Sequence, residues 1–508
     1  MNPLDGQPKL LTEINRPQLH YSNDSKKQRS VCLHEKESAS EARTMRKAWF
    51  TDGRLHRRDF LKSLIMGGAA GFGMVASQNM GLISGLLVRT FVEGQVDPTY
   101  TVEQTGGLVQ ATPAPNSGLP SLSNTDAATV INEILQQSGM KVLIKAGTYT
   151  INSSISTPLN TNDLEIYGVN MADTILKLGD GVNNAVLEIL GSTNVRIHDI
   201  QVDGNRANQQ QSFGTGKLFL PLYAHGIDVW RSSNVAISNC NVHDCRVMGI
   251  QMLLCEDSTI TGCRVVDSDA NGITIGNHSA KDQAIGGNNI ISQNIVDGAS
   301  DVGITGLDPI DSIVEQNTIR NVNMNTSPFN QNTHIGMAVE KAGLAQHVIY
   351  RQNRIENCLG DGISTFGHTP DSGTDLIWDN NYITNCGNGL YANMVTGITI
   401  TNNTVNGTLS SGDTSYGVTG FGLLIGPQVI RADVEGNNFM NIQAPVWPQN
   451  GLGSGGRRII ILLAPSGVLV NNLMFTTEPP IGPLQSPIFT TSMSDWTLSN
   501  NATINNPV

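Results

Sequence analysis

From about residue 195 onward the apolar residues fall in short alternating runs, not at helical spacing, and one phrase recurs. It reads apolar, two polar residues, Asn or a stand-in, one residue, apolar. Aligned copies place Ile200, Cys240, Cys263, Asn294, Asn317, Asn353, Asn381, Asn403, Asn437, Asn472 and Asn501 at one position. The steps Cys240 to Cys263 and Asn294 to Asn317 are both 23 residues, and Asn381 to Asn403 is 22. A fixed period of this size predicts a solenoid. Asparagines stacked in a tight turn suit left-handed backbone and hydrogen-bond one another from rung to rung, so they receive a structural role.

A second phrase follows several residues later: Gly, apolar, any, apolar. Gly226-Ile227-Asp228-Val229, Gly249-Ile250-Gln251-Met252, Gly272-Ile273-Thr274-Ile275 and Gly336-Met337-Ala338-Val339 carry it. Several short strands per period, with no helix between them, imply an all-β solenoid of about 10–12 coils. Ahead of it, Ala127 to Gln137 has apolar residues at helical spacing, with Asn124 or Thr125 available as the cap. This predicts a short helix closing the open N-terminal end of the tube. Residues 92–122, rich in Pro, Gly, Ser and Thr, read as a linker, which leaves 1–91 as a leader and 123–508 as the folded domain.

Composition agrees with turns and strands: 53 glycines, 5% aromatic and 15% charged residues. The net charge is -12, yet residues 1–58 hold 12 Lys/Arg against 7 Asp/Glu, so the body is more acidic than the total suggests. An acidic body argues against nucleic acid as a partner. Of seven cysteines, Cys32 lies in the leader. Cys240 and Cys263 share a repeat position and read as buried free thiols, and no CxxC pair offers a zinc site.

Two resemblances follow. His56-Arg57-Arg58-Asp59-Phe60-Leu61-Lys62-Ser63, then an apolar Gly/Ala-rich stretch from Leu64 to Ala76, looks like a twin-arginine translocation signal. It implies Arg57 and Arg58 as the signal, the twin-arginine machinery as a partner, and export to the periplasm, surface or medium. A second apolar stretch, Met80 to Val88, allows an uncleaved leader to tether the protein to a membrane. Residues 140–505 resemble the pectate-lyase-like, single-stranded right-handed parallel β-helix. That resemblance implies a carbohydrate polymer or oligosaccharide as partner.

Spacings longer than 23 residues mark insertions at Ala207–Pro221, Ser279–Gly287, Asn321–Thr333 and His368–Asp375, on both sides of the Gly-apolar strand. The outer face of that strand then reads as a cleft floor. Alternation turns Ile227 and Val229 inward and Asp228 and Trp230 outward, and likewise exposes Gln251, Thr274, Thr305, Glu340, Ser364, Phe366, Tyr391 and Asn393. Aromatic faces among polar groups suit sugar rings. Arg206, at the start of the first insertion, stands where it can hold a substrate at the rim.

Two acidic clusters are candidates for catalysis. Asp301, His334 and Asp361 fall at nearly one height on three consecutive coils, putting the two carboxylates roughly 9–10 Å apart, near the ~6.5–9.5 Å of inverting glycosidases. After the strand come Asp308, Glu340, Lys341 and His368, where Asp308 and Glu340 on adjacent coils would be ~5 Å apart, the retaining distance. Lys341 also fits a uronate lyase or C5-epimerase, as the base that takes the proton α to a carboxylate. No cofactor is expected beyond weak calcium binding at Asp267 with Asp269.

Gly272-Ile273-Thr274-Ile275-Gly276-Asn277 is similar to a strand of the polygalacturonases, but their acid positions are here His225, Met248 and Asn271. The Asp-Pro-His of alginate epimerases is here Asp308-Pro309-Ile310. The leading expectation is an exported glycoside hydrolase with paired carboxylates. A uronate lyase or epimerase, and a non-catalytic polysaccharide-binding adhesin, are the alternatives.

Overall fold

The computed structural model describes residues 97–505, apart from 211–223, 278–285, 326–332, 342–344, 368–373, 410–419, 444–458, 477–487 and 491–495. The leader, with Arg57, Arg58 and the Met80–Val88 stretch, lies outside these residues, as does His368 and as do most of the four insertions.

Each coil runs through three strands that join three separate sheets, of 16, 13 and 12 strands among the described residues. One coil is Ser233–Ser238, Asn241–Cys245 and Ile250–Leu253; the next is Thr259–Thr261, Arg264–Ser268 and Ile273–Gly276. Coils stack in parallel register, Ala236 on Thr259, Val242 on Val265 and Met252 on Ile275. Period-2 alternation sends Val235, Ile237, Val242, Ile250 and Met252 into one continuous core. Burying each such side chain contributes about 1.5–3 kcal/mol.

The corner between the first and second sheets carries the asparagine ladder. Asn294, Asn317, Asn353, Asn381, Asn403, Asn437, Asn472 and Asn501 are joined rung to rung, each Nδ2 donating to the next Oδ1 at 2.9–3.0 Å. Left-handed backbone falls one residue earlier than the sequence suggests, at Asn239, Gln293, Gln316, Gln352, Asn380, Asn402, Asn471 and Asn500. The ladder side chain thereby turns inward and reaches its neighbours.

The corner between the second and third sheets needs the repeated glycine. A Cβ on Gly303 would lie 2.3 Å from Ile319 Cγ2 and 2.6 Å from Gly336 O, and the same collision recurs at Gly226, Gly249, Gly272, Gly336 and Gly362. Coils therefore approach too closely there for any side chain.

Within the linker expected over 92–122, strands are found from Tyr100 onward. Strands β1 (Tyr100–Thr105), β2 (Leu108–Pro113) and β3 (Leu122–Asn124) form an antiparallel edge, and β1 pairs in parallel with Lys141–Ile144 of the first coil. Gly106 and Gly107 take the positive φ of a tight hairpin, and Tyr100, Val102, Val109 and Ala111 are buried by alternation. Helix α1 (Ala127–Ile134) packs its buried face against this end, capped not by Asn124 or Thr125 but by Asp126, which accepts from Thr129 N at 3.0 Å. Cys240, Cys245, Cys255, Cys263, Cys358 and Cys386 are free and buried, as expected. Among the described residues no helix is long and apolar enough to cross a membrane.

Candidate functional site

Two rows of the third sheet point away from the core. The first runs Glu188, Asp228, Gln251, Thr274, Thr305, Ala338, Ser364, Tyr391. The second runs Trp230, Leu253, Gly276, Leu307, Glu340, Phe366. The outward register matches expectation, but the floor is not open: Asp228, Gln251, Thr274, Thr305 and Ser364 have no exposed surface. Gln251 Nε2 donates to Asp228 Oδ1 at 2.8 Å, while Asp228 Oδ2 has no hydrogen-bond partner among the described residues. Burial lifts the Asp228 carboxyl to about 7, with Glu188 adding to the rise and Gln251 opposing it.

Farther along, two acids that the sequence places in different clusters lie on adjacent strands, toward opposite ends of the ladder. Asp301 precedes the strand Val302–Leu307, and Glu340 lies near the end of the adjacent strand Ile335–Lys341. Glu340 is partly exposed and accepts from Thr305 Oγ1 at 2.9 Å. Asp301 is nearly buried and accepts from Thr333 Oγ1 at 2.6 Å. Burial raises Asp301 to about 6, against the pull of Thr333 and the His334 ring. Burial, then the charge of Asp301, raises Glu340 to about 8, with Thr305 opposing. Between those values Asp301 holds a negative charge and Glu340 holds a proton. Two carboxyls whose values are pushed apart can serve as an acid and a base.

The expected clusters themselves are redrawn. His334 does follow Asp301 on the next coil, buried, with Nε2 3.0 Å from Met324 O. Gly360, not Asp361, continues that row, its N–H donating to His334 O. Asp361 sits one position on, paired with Asn388 across the ladder and accepting from its Nδ2 at 2.8 Å. It therefore leaves the proposed triad. Asp308 is likewise one position past Leu307, the partner of Glu340; it is buried in a left-handed turn, where its N–H donates to Glu340 O. The one-residue offset takes it out of the row that holds Glu340. Tyr391 is no open platform, being packed with Phe421, Leu424 and Ile461 in a second apolar cluster on the outer face. Trp230 stays partly exposed at the end of its strand. Lys341 closes its strand and Phe366 is the last residue but one of its own, paired by backbone with Gly367 and Glu340 respectively, and their side chains lie outside the described residues.

Arg206 lies at the corner entering the third sheet. Its Nη1 donates to Asp269 Oδ1 at 3.2 Å, and Arg246 Nη1 donates to Asp269 Oδ2 at 2.5 Å. Asp269 is thus compensated by two guanidinium groups, which does not suit the calcium site suggested for Asp267 with Asp269. Asp203, His243 and Asp244 come nearer to a cation cage, with donor atoms within 4.8 Å of one another. Lys177 already pairs with Asp203 and Arg206 with Asp244, so the group reads as a charge network.

Sequence reasoning missed Thr305 and Thr333 as partners of the acid pair, and it missed Arg246. For Arg246 a signal existed, since it precedes Asp269 by the same 23 residues that separate Cys240 from Cys263.

No curated protein matches the chain by sequence. The A-module of the Azotobacter vinelandii mannuronan C-5 epimerase AlgE6 is 14% identical, with 75% of this chain and 94% of that one covered and a TM-score of 0.46. The catalytic unit of an alpha-1,3-glucanase from Streptomyces thermodiastaticus is 12% identical, with 75% and 66% covered and a TM-score of 0.41. The Dettilon tailspike protein is 14% identical, with 77% and 68% covered and a TM-score of 0.40. At these identities the likeness concerns fold and carries no activity across. The family described as "Right handed beta helix region" matches residues 121–319 and 225–451, more than half of the chain, and to that family this protein belongs.

Proposed function

We propose that the protein is an exported carbohydrate-active enzyme that hydrolyses a glycosidic bond with Asp301 and Glu340. The observation behind this reading is two carboxyls on adjacent strands, each accepting from a threonine hydroxyl and each raised by burial, Asp301 to about 6 and Glu340 to about 8. Glu340 gives its proton to the glycosidic oxygen as the bond to the anomeric carbon breaks. Asp301 takes a proton from the water that attacks that carbon. The reaction leaves Glu340 ionised and Asp301 protonated, and exchange with solvent resets both. Thr305 and Thr333 orient the carboxyls.

Elimination from a uronate is the second reading, favoured by Arg206 and Arg246, because proton loss beside a carboxylate needs cationic compensation. Export by the twin-arginine route belongs to the same proposal and rests on Arg57-Arg58-Asp59-Phe60-Leu61-Lys62.

The test is a screen of the full chain against a polysaccharide panel, following reducing ends and the absorbance of unsaturated uronates together. New reducing ends without absorbance, abolished in Asp301→Asn and Glu340→Gln, are expected. Absorbance would replace hydrolysis by elimination. Silence in both channels with retained polymer binding would leave a binding protein.

A further inference from the structure

Along the outer face of the first sheet, one position reads Thr259, Ile290, Ile313, Ile349, Ile377 and Thr399 on six consecutive coils. The residues that follow, Val314, Tyr350 and Trp378 among them, fill the core. Alternation therefore turns the four isoleucines outward, where each keeps part of its surface exposed. Elsewhere the same row is polar or small: Glu165, Arg196 and Ala236 precede it and Asp433 follows it. A contiguous aliphatic run on an outer face is the kind of patch that association covers. We propose that this face is the interface of a homodimer, in which a second copy packs sheet on sheet with its solenoid axis reversed. The inference goes beyond the catalytic reading and does not depend on it, since Asp301 and Glu340 belong to the third sheet.

The order of residues carries the choice of partner. Consider a two-fold axis parallel to the strands, midway between the coils of Ile313 and Ile349. It reverses the order of the coils and leaves each row facing its own copy. Ile313 then meets Ile349 of the second copy, Ile290 meets Ile377, and Thr259 meets Thr399. The row reads the same from either end, as a self-complementary surface requires.

The flanks obey the same axis. Two residues after the stripe, the row reads Thr261, Ser292, Glu315, Arg351, Asp379 and Thr401. Glu315 meets Arg351 of the second copy, Ser292 meets Asp379, and Thr261 meets Thr401. Two residues before the stripe stand Asn288, Asp311, His347 and Asp375, so Asp311 meets His347 and Asn288 meets Asp375. Within one chain these groups already alternate, with Arg351 Nη2 2.6 Å from Glu315 Oε2 and His347 Nδ1 3.0 Å from Asp311 Oδ1. The dimer closes each flank into a square of alternating partners, and among these described residues no like charges lie opposite one another. An axis along the stripe would instead set Asp311 against Glu315 and Asp375 against Asp379, acid against acid, which destabilises facing strands. The charges therefore select the reversed arrangement.

The experiment is sedimentation velocity of the full chain over a concentration series, where a reversible dimer is expected. Ile313→Lys and Ile349→Lys, at outward positions, should each raise the dissociation constant ten-fold or more while the urea midpoint stays unchanged. Glu315→Arg should weaken the dimer likewise, and adding Arg351→Glu to it should restore association. Geometry is read by cross-linking with copper phenanthroline in a Cys32→Ser background, the six other cysteines being buried. Ile290→Cys mixed with Ile377→Cys should give a disulfide-linked dimer, whereas either alone should not, because equal positions lie roughly 14 Å apart along the axis at ~4.8 Å per coil. A monomer at every concentration would overturn the inference. A dimer indifferent to both lysine variants and to Glu315→Arg would place association elsewhere and also overturn it. So would a mixture that fails to cross-link, or cross-linking of Ile290→Cys alone, which would set equal coils face to face.

Discussion

Two corners of the same coil have opposite characters. Between the first and second sheets, rung after rung carries asparagine, and each amide is satisfied by the rungs beside it. Between the second and third sheets the backbone is just as regular, with a glycine on every coil from Gly226 to Gly422. The residues ahead of that glycine nevertheless change with each rung: Arg246, Asp269, Asp301, His334 and Asp361 all lie within three positions of it. Identical rungs form a closed ladder that can only support the fold. Unlike rungs leave charges whose partners are found on neighbouring coils, and there burial raises the carboxyl of Asp301. In a solenoid, repetition marks structure, and local breaks in repetition mark chemistry.

The comparison predicts that variants at the two corners fail in different ways. The largest effect falls on activity: Glu340→Gln and Asp301→Asn should lower turnover of the active polymer by about 10²–10⁴-fold, with unfolding in urea unchanged or shifted upward. Next is Asn353→Ala. It removes the acceptor for Asn317 N and Nδ2 and the donor to Val314 O and Asn381 Oδ1, all buried. Urea unfolding should show a loss of about 3 kcal/mol, with activity per folded molecule unchanged. A smaller effect concerns pH. Glu340 keeps its proton in the folded state to about 8, whereas the unfolded group ionises near its ordinary 4.5. The folded state therefore binds the extra proton, and stability falls as pH rises from 4.5 through about 8. Glu340→Gln should flatten the decline of urea midpoints across that window. Smallest is Asp228→Asn. It preserves the shape of a carboxyl already lifted to about 7, so below that value it should shift stability by less than about 1 kcal/mol.

Regularity also decided what could be read from sequence. The ladder positions, the inward residues and the buried free cysteines were legible because a 22- or 23-residue step aligns them without reference to the loops. Asp361 and Asp308 were misassigned by one residue each, and across a strand ladder one residue exchanges one row for the next. Insertions at Asn321–Thr333 and His368–Asp375 interrupt the count where the acids lie, so the electrostatic influence of Asp301 on Glu340 was hidden. The N-terminal hairpin was missed for another reason. Its Pro, Gly, Ser and Thr content outweighed the alternation of Tyr100 with Val102 and of Val109 with Ala111, although Gly106-Gly107 between them is a hairpin turn signal.

The central claim is that Asp301 and Glu340 divide base and acid between them because burial, reinforced by the charge of Asp301, holds the proton on Glu340. The most direct measurement is a pH titration by NMR of the full chain with ¹³C at the glutamate carboxyls. One carboxyl carbon should titrate near 8, vanish in Glu340→Gln, and move to lower pH in Asp301→Asn, where the repelling charge is gone. A Glu340 carboxyl that titrates in the ordinary glutamate range, or one that ignores the Asp301 substitution, would contradict the account.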